Sequence, residues 1–279
     1  MHNKEAKSLK GENCYMEKPV IITINSHRGG SGKSTITQNL AAALQENGRK
    51  VLVIDCDPQS NTSATYGTKD YTEWSSVFDL FSFIRRPGDP HTCIQHTDCG
   101  DIISGDPTMD QIEALFSKFK PESKYSFMKP ILKSLNEYDY IINDTNPNTE
   151  EILFILFSAS DYVLCPWNDW YYSQQSAFWV NERIKKMKEY NPDLKWLGFL
   201  MNNYSANEIV WKDEIVKNAE IFAKSEGFNT RVLNTKIRRN TQINIATNHH
   251  TSAVRGYPKS NGAEDYRNLA NEIIGIVGE

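Results

Sequence analysis

The sequence predicts an α/β fold in which a doubly wound, mostly parallel sheet is covered by helices on both faces. Three observations predict it. Short runs that are apolar throughout recur along the chain, which suits strands buried on both sides. Stretches of helical periodicity separate them, which suits parallel crossovers. A glycine-rich segment joins the first such run to the first helix, and open α/β sheets hold ligands beyond the carboxyl ends of their strands.

Val20 to Asn25 reads as the first strand. Lys33 to Asn47 reads as a helix, because apolar or small residues fall at Ile36, Leu40, Ala43 and Leu44, and Gly48 stands where a helix stops. Val51 to Asp55, Tyr140 to Asn143, Tyr162 to Cys165 and Trp196 to Met201 follow as strands. Tyr66 to Tyr125 is less regular, and peripheral helices and loops are expected there. No repeat or flexible linker interrupts the chain. A tail, 1–18, and a single domain, 19–279, are therefore expected.

The 279 residues suffice for a large buried core. The longest uninterrupted apolar run, Ile152 to Phe157, is far shorter than the ~20 residues of a membrane span. The tail is polar and lacks the apolar centre of a secretory signal. Five scattered cysteines (Cys14, Cys56, Cys93, Cys99, Cys165) point to a reducing, cytoplasmic setting. His91, Cys93, His96 and Cys99 carry the right side chains for zinc, but not in the paired spacing of a zinc knuckle, and a plain surface loop is expected.

Net charge is −4, unevenly spread. Between Lys224 and Arg267 eight Lys or Arg face three acids, giving +5 and leaving −9 elsewhere. Charge alone does not separate a nucleic-acid face from an ordinary solvated surface.

The glycine-rich segment is Ser26-His-Arg28-Gly29-Gly30-Ser31-Gly32-Lys33-Ser34-Thr35. Glycines let the backbone curl around an anion, and the helix start adds unpaired N–H donors and a favourable dipole. Lys33 can reach the β- and γ-phosphates of a nucleotide, and the Ser34 hydroxyl can ligate Mg²⁺. Where the general P-loop pattern has its first glycine, His27 stands instead. Two further clusters supply carboxylates at strand ends. Asp55-Cys-Asp57-Pro-Gln can orient a water and the metal shell, and Asp144 closes the run Tyr140-Ile-Ile-Asn-Asp144.

The loop resembles the deviant Walker A motif of the ParA/MinD ATPases, with Arg28 at the position of the family's signature lysine. The chain is thus identified as a P-loop NTPase of the deviant Walker A class, and the likeness runs through nearly all of it from Val20. It implies ATP and Mg²⁺ as cofactors and slow, partner-stimulated hydrolysis. Lys33, Asp57 and Arg28 are the implied catalytic residues. Arg28, Gly29, Gly30, Ser31, Gly32, Lys33, Ser34 and Thr35 would form the nucleotide cradle, with Ser34, Asp57 and Asp144 around the metal. In the family the signature lysine reaches the partner's phosphates in a nucleotide-sandwich dimer; arginine could still supply charge there, as arginine fingers do.

Trp196 to Tyr204 is similar to the strand whose end meets adenine, which implies Asn202 as the base contact, with a strand-end turn residue as the alternative. Asn146 and Arg238 stand where the family usually has proline. The C-terminal part, Ile237-Arg-Arg-Asn240 and Tyr257 to Tyr266, resembles the partition ATPases in particular. That likeness implies a homodimer closed by ATP, non-specific DNA binding through Arg238, Arg239, Arg255 and Lys259, and a ParB-like adaptor or other activator in plasmid or chromosome partition. The last helix lacks the basic face of the membrane-cycling relatives, so no membrane anchor is expected. The aromatic stretch Trp167, Trp170, Tyr171, Tyr172, Phe178 and Trp179 is expected to serve core or dimer packing. A second reading stays open: a nucleotide-gated assembly or positioning factor that acts through protein partners without DNA.

Overall fold

A computed structural model describes residues 19–68, 76–147, 149–168, 170–204 and 209–278. The tail lies outside the described residues, and so do the side chains of Trp170 and Tyr171. The strands are β1 (Val20–Ile24), β2 (Val51–Cys56), β3 (Gln95–Thr97), β4 (Gly100–Ile103), β5 (Tyr140–Thr145), β6 (Tyr162–Trp167), β7 (Lys195–Tyr204) and β8 (Val232–Arg238). They form one sheet in the order β3-β4-β2-β5-β1-β6-β7-β8. Among the described residues every pairing is parallel except β3 with β4.

Period-two alternation divides the core between the two faces of the sheet. Val20, Ile22 and Ile24 of β1 pack to one side and Ile21 to the other. The first side is covered by α1 (Lys33–Glu46), α10 (Thr241–Asn248), α11 (Ala253–Gly256) and α12 (Asn261–Gly278). The opposite side is covered by α3 (Val77–Ser82), α4 (Asp110–Phe116), α6 (Met128–Ser134), α7 (Glu150–Ala159), α8 (Trp170–Met187) and α9 (Ile209–Ser225). Short helices α2 (Asn61–Tyr66) and α5 (Pro121–Lys124) complete the set. Each fully buried Ile or Leu contributes about 1.5–3 kcal/mol relative to exposure. This two-sided core fixes where the strand ends lie.

Gly48, at φ 74°, ends α1 as expected, with the Arg49 N–H returning to the Leu44 carbonyl at 3.1 Å. Helix α12 buries Tyr266, Leu269, Ala270, Ile273 and Val277 on one stripe. Its Glu272 carboxylate accepts the N–H groups of Asn234 and Thr235 at 2.7 and 2.8 Å, tying the helix to the edge strand β8.

Three parts differ from the sequence reading. The stretch expected to be helices and loops contains the β3–β4 hairpin, which extends the sheet beside β2. Its strands are short and carry polar residues, so no apolar run announces them. Strand β8 escaped for a related reason, because Asn234, Thr235 and Lys236 interrupt its apolar residues. The segment of His91, Cys93, His96 and Cys99 is not a plain surface loop. Cys93 is buried in the core, while His91 bonds Asp89 and Glu137, and His96 bonds Asp101. No group of three or more metal-ligating side chains occurs among the described residues.

Candidate nucleotide site

The P-loop leaves the carboxyl end of β1, which lies between β5 and β6. Gly30 and Gly32 have φ of 72° and 90°, a region that side chains with a Cβ rarely enter, so the turn depends on glycine at both places. The Gly32 carbonyl accepts the Ile36 N–H at 2.8 Å and starts α1. Asn202, at the end of β7, donates from Nδ2 to the Ser31 carbonyl at 2.9 Å. A Cβ on Gly32 would stand 2.5 Å from that nitrogen. Asn202 therefore latches the turn, and it also lines a cavity beside it.

Lys33 is only 7% exposed, and its ammonium donates to the Arg28 carbonyl at 3.2 Å across the loop. Burial pulls its pKa down, opposed by the charges of Asp144 and Asp57. The Ser31 hydroxyl is buried without a hydrogen-bond partner. A buried ammonium and an orphaned hydroxyl inside a turn shaped by glycine fit a phosphate chain.

The acid side is built from β2 and β5. Asp55 and Asp144 are register partners on these strands, both fully buried. Asp55 accepts from the Ser63 N–H and hydroxyl at 2.8 and 2.7 Å, and from the Asp57 N–H at 3.1 Å. It is thus the anchor of the following turn and of α2. Asp144 accepts from the Thr62 hydroxyl at 2.7 Å. Burial raises the pKa of both carboxyls; the Asp144 charge raises Asp55 further, while the Thr62 and Ser34 hydroxyls and Lys33 oppose the rise in Asp144. The Asp144 carboxyl, bonded to the Ser34 hydroxyl and with Oδ1 left without a partner, fits a hard divalent cation, which would relieve its desolvation. Asp57 sits further out, its carboxylate accepting from the Gln59 N–H at 2.9 Å and from Asn146 Nδ2 at 2.8 Å.

A cavity of about 240 Å³ lies between the turn and the ends of β7 and β8, lined by Gly32, Thr35, Asn202, Asn203, Arg238 and Asn240. A second, of about 270 Å³, opens beside Arg28, Ser31, Pro166 and Tyr172. A cavity of about 360 Å³ elsewhere, lined by Arg49, His91, His96, Asp101 and Glu137, pairs most of its charged groups with one another and has no phosphate cradle.

Residues 19–196 match the family profile described as an AAA domain. Soj of Bacillus subtilis, a sporulation initiation inhibitor protein, is 27% identical over 91% of this chain and 97% of its own. The chromosome partitioning protein ParA of Myxococcus xanthus is 26% identical over 95% and 91%. The chain belongs to the ParA/MinD-type P-loop ATPase family. The septum site-determining protein MinD of Pyrococcus horikoshii, solved with Mg-ADP, shares the fold with a TM-score of 0.69 at 24% identity, over 94% of this chain and 99% of that one. As a family member the chain is a P-loop ATPase.

Of the residues that the sequence singled out, the loop, Asp57, Asp144 and Asn202 converge at one end of the sheet. The basic candidates differ in their partners. Arg238 is engaged inside the molecule: its Nε and Nη2 bond the Asp265 carboxylate at 2.6–3.0 Å, and Nη2 also reaches Glu264 at 3.2 Å. Its charge is matched by a buried acid. Arg255 bonds neutral groups, the Gln45 side chain and the Cys99 carbonyl, and so keeps an uncompensated charge. Arg239 and Lys259 are exposed. Arg267, counted in the +5, pairs with Glu46 at 2.6 Å.

Sequence reading missed Thr62, Ser63 and Ser176, which hold the acids and the loop. Short hydroxyl side chains near a turn carry no distinctive pattern, so only proximity in the fold reveals them.

Proposed function

We propose that this ParA/MinD-type ATPase binds ATP with Mg²⁺ in the P-loop, closes as a homodimer, binds DNA without sequence preference, and is released by a ParB-like adaptor that stimulates hydrolysis. The observation that carries the nucleotide part is the buried Lys33 ammonium inside a glycine-shaped turn, within the field of the buried Asp144 carboxyl and of Asp57. Main-chain N–H groups of Gly29 to Ser34 and the Lys33 ammonium would hold the phosphates. Ser34 and Asp144 would hold Mg²⁺, with Asp57 at its water shell, and the ion would neutralise charge on the β- and γ-phosphate oxygens. Asp57, fixed by Asn146, would orient the attacking water. Asn202 Oδ1, left over once Nδ2 binds the turn, would face the base. Arg28 would add positive charge to the transferring phosphoryl group, across the dimer.

DNA binding would rest on Arg239, Arg255 and Lys259 and would weaken steeply with salt, because it consists of phosphate neutralisation. One observation favours the second reading, a positioning factor that acts through protein partners: the ion pairs of Arg238 and Arg267 shrink the basic face. Fluorescence anisotropy with random-sequence duplex DNA separates the two. ATP-dependent, salt-sensitive binding that is lost in the Arg239/Arg255/Lys259 triple alanine variant supports partition on DNA. No ATP-dependent binding at low salt removes it and leaves protein partners.

A further inference from the structure

Helix α8 presents four residues, Tyr172, Ser176, Trp179 and Arg183, at spacings of four, three and four, so that they lie on one stripe. All four touch the limb of the P-loop that precedes its glycines. The Ser176 hydroxyl accepts the His27 N–H at 2.8 Å and bonds the Ser26 hydroxyl at 2.9 Å. Trp179 packs on the His27 ring with centroids 5.7 Å apart. Arg183, only 7% exposed, bonds His27 Nδ1 through Nη2 at 3.2 Å. The Arg28 guanidinium carbon lies 4.3 Å from the centroid of the Tyr172 ring.

Tyr172 is 52% exposed, so its ring is not there to fill the core. A guanidinium over an aromatic face is held by the ring quadrupole and loses part of its rotamer freedom. Ser176, Trp179 and Arg183 fix the backbone at His27, and Tyr172 then limits where the next side chain can point. We infer that Tyr172 is a positioning residue for Arg28, and that the α8 stripe presents the guanidinium at the mouth of the P-loop. Tyr172 acts through Arg28. The inference rests on the reading that Arg28 serves the phosphoryl group.

The test is a double-mutant cycle in steady-state ATPase assays of the full chain at saturating protein, with Tyr172→Leu, Tyr172→Phe, Arg28→Ala and the Leu/Ala double variant. Tyr172→Leu should lower kcat about two- to fivefold, the range an exposed cation–π contact supports, and leave the KM for ATP unchanged. Tyr172→Phe, which keeps the ring, should restore kcat. In the Arg28→Ala background Tyr172→Leu should have no further effect. Wild-type kcat in Tyr172→Leu, failure of Phe to rescue, or an undiminished effect in the Arg28→Ala background would each overturn the inference. Wild-type turnover of Arg28→Ala itself would overturn the role of Arg28, and the inference with it. An impaired Arg28→Ala with independent Tyr172 effects removes the inference alone.

Discussion

Asp55 and Asp144 face each other in register at the ends of neighbouring parallel strands, both fully buried. Burial and mutual repulsion make the folded protein hold protons there that the unfolded chain has already released. Stability of the nucleotide-free protein must therefore fall as pH rises from the ordinary carboxylate range through the raised values, and then level off. Mg²⁺ with nucleotide should oppose that fall. Asp144→Asn keeps an acceptor for Thr62 but removes one charge, so its melting temperature at neutral pH should exceed the wild-type value by about 3 °C or more. Thermal melts at pH 5 and 8, with and without Mg-ATP, check this. A variant with the wild-type pH slope would sink it.

Lys33→Ala should weaken ATP binding about 10- to 100-fold, the loss expected for charge-assisted hydrogen bonds in a partly buried site. Isothermal titration with a non-hydrolysable ATP analogue reads the effect. Unchanged affinity would refute the P-loop assignment.

Asp57→Ala should leave ATP bound and cut turnover by about 10² or more, as removal of a water-orienting carboxylate does. Asn146→Ala releases the same carboxylate from one of its anchors. Its kcat should drop about three- to tenfold with little change in KM. If Asn146→Ala turned over normally, the amide would have no part in holding Asp57.

Arg238→Ala strips the buried Asp265 of its main partner. Because Arg238 is itself partly open to water, the full penalty of a broken buried pair is discounted to about 2 kcal/mol, or a melting-temperature loss of about 4–8 °C. Arg239→Ala should melt within about 1 °C of the wild type and weaken DNA binding instead. Melts and anisotropy run on both variants decide it; the reverse pattern would restore Arg238 as a surface contact.

How much was legible in advance follows from where each residue sits. The central strands β1, β2, β5, β6 and β7 are covered on both faces and read as continuous apolar runs, so they were visible. The edge elements β3, β4 and β8 mix polar and apolar residues, and their identity comes from pairing rather than composition. Lys33, at the start of α1, and Asp57 and Asp144, at the ends of β2 and β5, could be singled out because phosphate and metal chemistry would draw on such side chains there. The grip of α8 on His27 and Arg28 was not, since it joins positions about 150 apart in the chain, and Tyr172 alone resembles any other surface aromatic. The Arg238 pair was hidden in the same way: the net charge of a segment does not show which arginine already has its acid.

On the proposed base contact of Asn202, its latch to Ser31 would tie base choice to phosphate grip. One amide would then carry both, its nitrogen bracing the turn and its oxygen left for the purine. A variant bred to accept guanine by changing this residue would also slacken the anion cradle, and its affinity for bare tripolyphosphate would drop in parallel. Nucleotide preference would then drift more easily where some other side chain took over the brace.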